Sequence, residues 1–188
     1  MSAHLFNYVL YYAGWLACVL GPARGHAAAG TLVGLTLLGV HLALVRRPRD
    51  ELALALAGAA IGVAVDTTQI ALGTLRFDAG VVVAGLPPPW LVVIWMQFAA
   101  TFHFAMRWLK GRPIASALFG ALGGPLAFVA GERVGVVALH PERWASIVSL
   151  ALLWSIALPA LQRLAKRQDG RDGVGEYRWP ARASMAEP

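Results

Sequence analysis

The sequence predicts an all-α fold, a polytopic membrane bundle of about six transmembrane helices, and three observations carry that expectation. The composition is 58% hydrophobic and 14% charged with a mean hydropathy of +0.61, above the roughly 45–50% apolar content of soluble domains. The charges gather in short clusters between long apolar runs. Those runs have the length of membrane spans, which need about 20 apolar residues each.

Taken in order, the runs cover residues 5–20, 26–45, 52–72, 90–109, 114–131 and 144–164. The first has no Lys or Arg before its apolar core and carries bulky aromatics throughout, so it reads as a retained span and not as a signal peptide. It also holds the single cysteine, Cys18. One cysteine makes no intrachain disulfide and no cysteine-based zinc site, and no cofactor or metal is expected. The fourth run follows the apolar stretch VVVAGLPPP, which ends in proline and is too short to span. That stretch is expected at the outer interface with Trp90 as an anchor. The fifth is expected to be interrupted at Gly123, Gly124 and Pro125, leaving five spans plus a re-entrant segment as the alternative to six.

Alternate loops must fall on opposite faces, and the basic residues divide accordingly. One face takes twelve: Arg46, Arg47, Arg49, Arg107, Lys110, Arg112, Arg163, Lys166, Arg167, Arg171, Arg178 and Arg182. The other takes four: Arg24, Arg76, Arg133 and Arg143. The positive-inside bias then puts both termini in the cytoplasm. It also accounts for the net charge of +6 without a nucleic-acid partner, which the absence of a solvated basic patch with interleaved aromatics excludes. Residues 1–165 form one transmembrane domain. The Gly-, Asp- and Arg-rich stretch 166–188 is expected to be a disordered cytoplasmic tail, with Arg163, Lys166 and Arg167 near anionic headgroups.

Glycine pairs four apart, at 30 and 34, 58 and 62, 120 and 124, and 131 and 135, place small residues on single helix faces where helices can approach closely. Polar residues inside the spans are the functional candidates, because an unpaired Asp at mid-span costs roughly 2.5–3.5 kcal/mol. Asp66 stands out, with Gln69 three positions on and on the same side of the helix. Arg76, Asp78, Glu132 and Arg133 are its expected companions in the outer loops, and Trp90 and Trp95 complete the candidate lipid-binding set. His103, about 10 Å from the cytoplasmic boundary, belongs instead to an inner group with Asn7 and His41. Gln97 and Thr101 share one face of the fourth helix and His103 points from another. No HExxH, GxSxG, phosphate-loop or dinucleotide pattern occurs.

Several of these segments together resemble one family. They are NYVLYYAGWLACVLG, HLALVRRPRDELAL, IGVAVDTTQIALG, PPPWLVVIWMQFAATFHFAMRWLKGRP and GALGGPLAFVAGERVG. In this order they resemble the bacterial inner-membrane family DUF2878, over nearly the whole chain up to about residue 164. Asp66, Trp90, Trp95, Phe98, His103, Gly123, Gly124, Pro125 and Gly131 occupy the pattern positions. The resemblance brings no activity. It implies a setting beside fatty-acid methyltransferases resembling cyclopropane synthases and beside flavin oxidoreductases, hence membrane-lipid modification or a photo-oxidative stress response. Membrane lipids and lipid-modifying enzymes are the expected partners. Three readings stay open: an accessory or enzyme of lipid modification, a small transporter using Asp66 as an intramembrane carboxylate, and a non-catalytic scaffold.

Overall fold

A computed structural model describes residues 2–178 of the 188. Its helices are α1 (Ala3–Ala23), α2 (Ala27–Leu44), α3 (Pro48–Ala71), α4 (Pro89–Ala99), α5 (Pro113–Arg133) and α6 (Arg143–Lys166). Three of them begin with a proline in the first turn, where the missing N–H has no intrahelical partner to lose. All but α4 are long and apolar enough to cross a membrane. Their outward faces are apolar too. On α5 the four-spaced residues Ile114, Leu118, Leu122 and Leu126 are each at least 61% exposed, a stripe that water would not tolerate and lipid would.

Consecutive helices pair as hairpins, α1 with α2, α3 with α4 and α5 with α6, and α4 sits among α1, α2 and α3. The expectation for the fifth and fourth spans is reversed. α5 runs unbroken through Gly123, Gly124 and Pro125, because one proline removes a single hydrogen bond, and Gly124 serves packing against Trp154 instead. The interrupted helix is α4. It stops at Ala99, continues as turns through residues 100–106, and closes with a short 3-10 helix at Arg107–Leu109.

Gly58, Gly62, Gly120 and Gly124 do lie at close helix contacts. The pair at 131 and 135 is corrected: α5 ends at Arg133, and Gly135 adopts a left-handed turn (φ 80°) beyond it. Opposite the end with most Lys and Arg, β1 (Leu75–Arg76) and β2 (Ala138–Leu139) pair antiparallel, with Leu75 opposite Leu139. Ser146 ties them to α6 by donating to the Thr74 carbonyl at 2.6 Å. Trp90 does not project to an interface as an anchor. It is buried, and its indole N–H donates to the Ala79 carbonyl at 2.9 Å, holding the 73–88 loop down.

The segment after α6 also departs from the expected disordered tail as far as residue 178. It folds back under the basic end of the bundle, where Tyr177 forms a β-bridge with Val45. Arg46 N–H donates to the Glu176 carbonyl at 2.9 Å and Arg178 N–H to the Leu44 carbonyl at 2.7 Å. Lys110–Asp169 and Arg46–Glu176 ion pairs, at 2.8 and 2.7 Å, and the Arg171–Asp50 pair fasten its length. Residues 179–188 lie outside the described residues.

Candidate functional site: a lateral groove and two buried polar clusters

α1 packs on α2 and α4 while α5 packs on α6, so the space between α1 and α5, floored by α4, is left as a groove. It encloses about 580 Å³, within the roughly 300–1,000 Å³ of ligand pockets. Aromatic residues make about half of its lining, among them Tyr8, Tyr11, Tyr12 and Trp15 from α1, Trp90, Trp95 and Phe98 from α4, Phe119 and Phe128 from α5, and Trp154 from α6. Along α1 it runs from Tyr8 to Val19, about 16 Å at the helical rise. That is close to half of a hydrocarbon core of about 30 Å. Tyr8, Tyr12, Trp108 and Phe119 are exposed at its rims, so it opens sideways, on the flank of the bundle.

The back of the groove is a four-layer stack. The Trp95 indole lies against Gly62 of α3, the Trp154 indole lies against Gly124 of α5, and the two rings face one another with centroids 4.5 Å apart. Gly58 meets the Trp95 backbone and Gly120 the Trp154 backbone in the same way. Each glycine pair thus seats one tryptophan, carbonyl on the first glycine and ring on the second.

Asp66 sits behind this wall, fully buried, and accepts a 2.8 Å hydrogen bond from Trp95 Nε1 to its Oδ2; Oδ1 has no hydrogen-bond partner among the described residues. Gln69 accepts from the Thr74 hydroxyl at 2.6 Å. The expected charged companions are elsewhere. Arg76 pairs with Asp78 at 3.3 Å and Glu132 with Arg143 at 2.7 Å, while Arg133 is exposed. Loop charges in a watery layer pair with one another, since reaching Asp66 would require burying a guanidinium in the bundle. Of the first candidate set, then, Trp90 and Trp95 line the groove, and Asp66 touches it only through Trp95.

Of the inner candidates, His41 and His103 converge, around a residue just outside the expected third span, while Asn7 bonds the backbone of the α4 break. Glu51, in the first turn of α3 and 1% exposed, takes His103 Nδ1 on Oε1 at 2.8 Å and His41 Nε2 on Oε2 at 3.5 Å. His103 Nε2 faces the Ala165 carbonyl at 3.1 Å. A carbonyl only accepts, so that nitrogen carries a proton. A single further proton is then shared between His103 Nδ1 and Glu51. His41 Nδ1 meets the Tyr177 hydroxyl at 3.0 Å. Burial pushes the Tyr177 phenol above its ordinary range, so it stays a hydrogen-bond donor. The N-terminal end of α3 favours a carboxylate at this position.

The unwound stretch of α4 lies beside this cluster, with residues 100–104 all buried. Irregular backbone at membrane depth survives only where protein satisfies it, and α1 and α6 supply the groups. Asn7 donates to the Ala100 carbonyl at 3.2 Å and accepts from Ala105 N–H at 3.4 Å; His4 Nδ1 donates to the Phe104 carbonyl at 2.9 Å. Gln162 donates to the Leu109 carbonyl. Thr101 turns its hydroxyl to the Phe98 carbonyl at 2.6 Å, and Gln97 donates to Gly34 of α2 at 2.7 Å. Asn7→Ala is expected to lower stability by about 1–3 kcal/mol, because it strands buried backbone groups; the midpoint of unfolding in mixed detergent measures it.

The fold and groove define a multi-pass helical membrane protein with a laterally open apolar recess. Within that class the chain belongs to the DUF2878 family, described as proteins of unknown function, whose model matches residues 4–160. No curated protein and no solved structure matches the chain.

Proposed function

We propose that the groove binds a hydrocarbon chain of a membrane lipid, and that the protein acts in membrane-lipid modification by holding that chain for a lipid-modifying enzyme. The observation that carries this reading is the aromatic recess of about 580 Å³ opening laterally between α1 and α5. Its length matches one leaflet, and its wall offers ring faces where a soluble-ligand site would offer converging polar groups. The fatty-acid chemistry and photo-oxidative setting suggested by the family resemblance agree with a chain-binding role. We place the basic end, and with it both termini, on the cytoplasmic side of a bacterial inner membrane, on the strength of the twelve-to-four division of Lys and Arg. The arrangement around Asp66 favours a structural role for that residue over transport, since a tryptophan wall separates it from the groove.

Gly123 lines the groove, and a side chain there would meet only the Phe119 ring, at an ordinary contact distance of 3.9 Å, so Gly123→Leu fills the recess without disturbing the stack. Native mass spectrometry of the detergent-purified protein should find lipid retained by the wild type and by Asp66→Asn, and lost from Gly123→Leu at an unchanged unfolding midpoint. Equal retention in wild type and Gly123→Leu would sink the proposal.

A further inference from the structure

Met106 lines the groove and also a second, small cavity of about 100 Å³ at the basic end. Around that cavity stand Arg107, Lys110, Lys166 and Arg171, with Asp169 as the single acid. Two of the cations are spoken for, Lys110 by Asp169 and Arg171 by Asp50. Arg107 and Lys166 have no ion-pair partner among the described residues, which leaves two uncompensated positive charges at the mouth. The α6 carbonyl nearest by would repel an anion, but His103 covers it, and Gln162 covers the Leu109 carbonyl. The volume is roughly that of three liquid waters, the scale of a phosphate group.

Building on the chain-binding reading, we infer that the groove's ligand is an anionic phospholipid. Its chain lies against the Trp95–Trp154 wall, and its phosphate occupies the small cavity between Arg107 and Lys166. An apolar slot and a cationic pocket separated by one flexible methionine suit an amphiphile whose charge and chain are joined. A free phosphate would use only the second compartment and a neutral lipid only the first. The unwound part of α4 is what brings the two together, because Met106 closes the turns that replace its last helical segment and Arg107 opens the 3-10 helix directly after them.

The test uses the full chain in phosphatidylcholine vesicles containing a growing fraction of bromine-labelled lipid, read as quenching of tryptophan fluorescence. Labelled phosphatidylglycerol should quench the wild type at about tenfold lower mole fraction than labelled phosphatidylcholine of the same chains. The preference should vanish in Arg107→Gln/Lys166→Gln and persist in Arg107→Lys. Both cations are exposed, so these variants fold. Equal quenching by the two lipids, beyond that seen in Gly123→Leu, would overturn the anionic headgroup and leave the chain site standing. Quenching no greater than in Gly123→Leu would overturn the chain site as well. A preference surviving the double substitution would overturn the assignment to Arg107 and Lys166. Loss of the preference on adding inorganic phosphate in solution would make the pocket a phosphate site and not a lipid one.

Discussion

Glu51→Ala is expected to destabilise the protein by about 3–5 kcal/mol, the range for removing one member of a buried charged or strongly hydrogen-bonded pair. Both imidazoles would lose their common acceptor at once, in a place with 1% exposure at the carboxylate. Water could not replace it without opening the bundle. Glu51→Gln should recover most of the loss. Its carbonyl oxygen can accept from His41 Nε2–H, and its amide can donate to His103 Nδ1, the one ring nitrogen left without a proton in the neutral form. The effect should also spread outward. His41 is one of the contacts that hold Tyr177, so in Glu51→Ala trypsin should cut at Arg171 and Arg178 faster than in wild type. An alanine variant as stable and as resistant as wild type would show that the cluster does not hold the segment after α6.

Trp95→Ala is expected to be comparably damaging, again about 3–5 kcal/mol for a buried tryptophan. It removes the middle of the stack, and it takes from Asp66 its only hydrogen-bond donor among the described residues. Trp95→Phe should retain the ring contacts and show the second effect alone, about 1–3 kcal/mol for a stranded buried acceptor. Adding Asp66→Leu to Trp95→Phe should then restore stability, because replacing both partners with apolar groups removes the need for the bond. If Asp66→Leu adds to the damage, the carboxylate has a partner other than Trp95. Equilibrium unfolding of the four proteins in mixed detergent decides between these.

The spans were legible from hydropathy because lipid makes a simple demand, and the small-residue pairs at 58 and 62 and at 120 and 124 were legible as packing sites. What they pack on was not. That each seats a tryptophan follows from two helices distant in sequence. Glu51 was hidden by a boundary: a span starting at residue 52 leaves it among the loop charges of RRPRDE. Yet Glu51, Ala55, Gly58, Gly62, Asp66 and Gln69 are all buried on α3 and follow the three-and-four spacing of one face, so the pattern was available. The break in α4 left no such trace. Nothing in ATFHFAM is a helix breaker, and the groups that make the unwinding tolerable, Asn7, His4 and Gln162, come from the first and last helices. Tyr177 was masked by a neighbourhood of Gly, Asp and Arg that reads as solvated chain, although glycine there is what lets Gly175 pass close to His103.

The two glycine-seated tryptophans also constrain how this protein can drift. Neither indole can be enlarged, neither ring-bearing glycine can gain even a methyl without moving an indole, and shrinking one ring leaves a slot that its glycine neighbour cannot fill in one step. Acceptable paths through sequence space at this point must therefore change glycine and tryptophan as a couple, one growing as the other shrinks. Since the two rings lean on each other, a change in the α3–α4 couple is transmitted to the α5–α6 couple. Two hairpins that share no loop are thereby made to inherit their substitutions together.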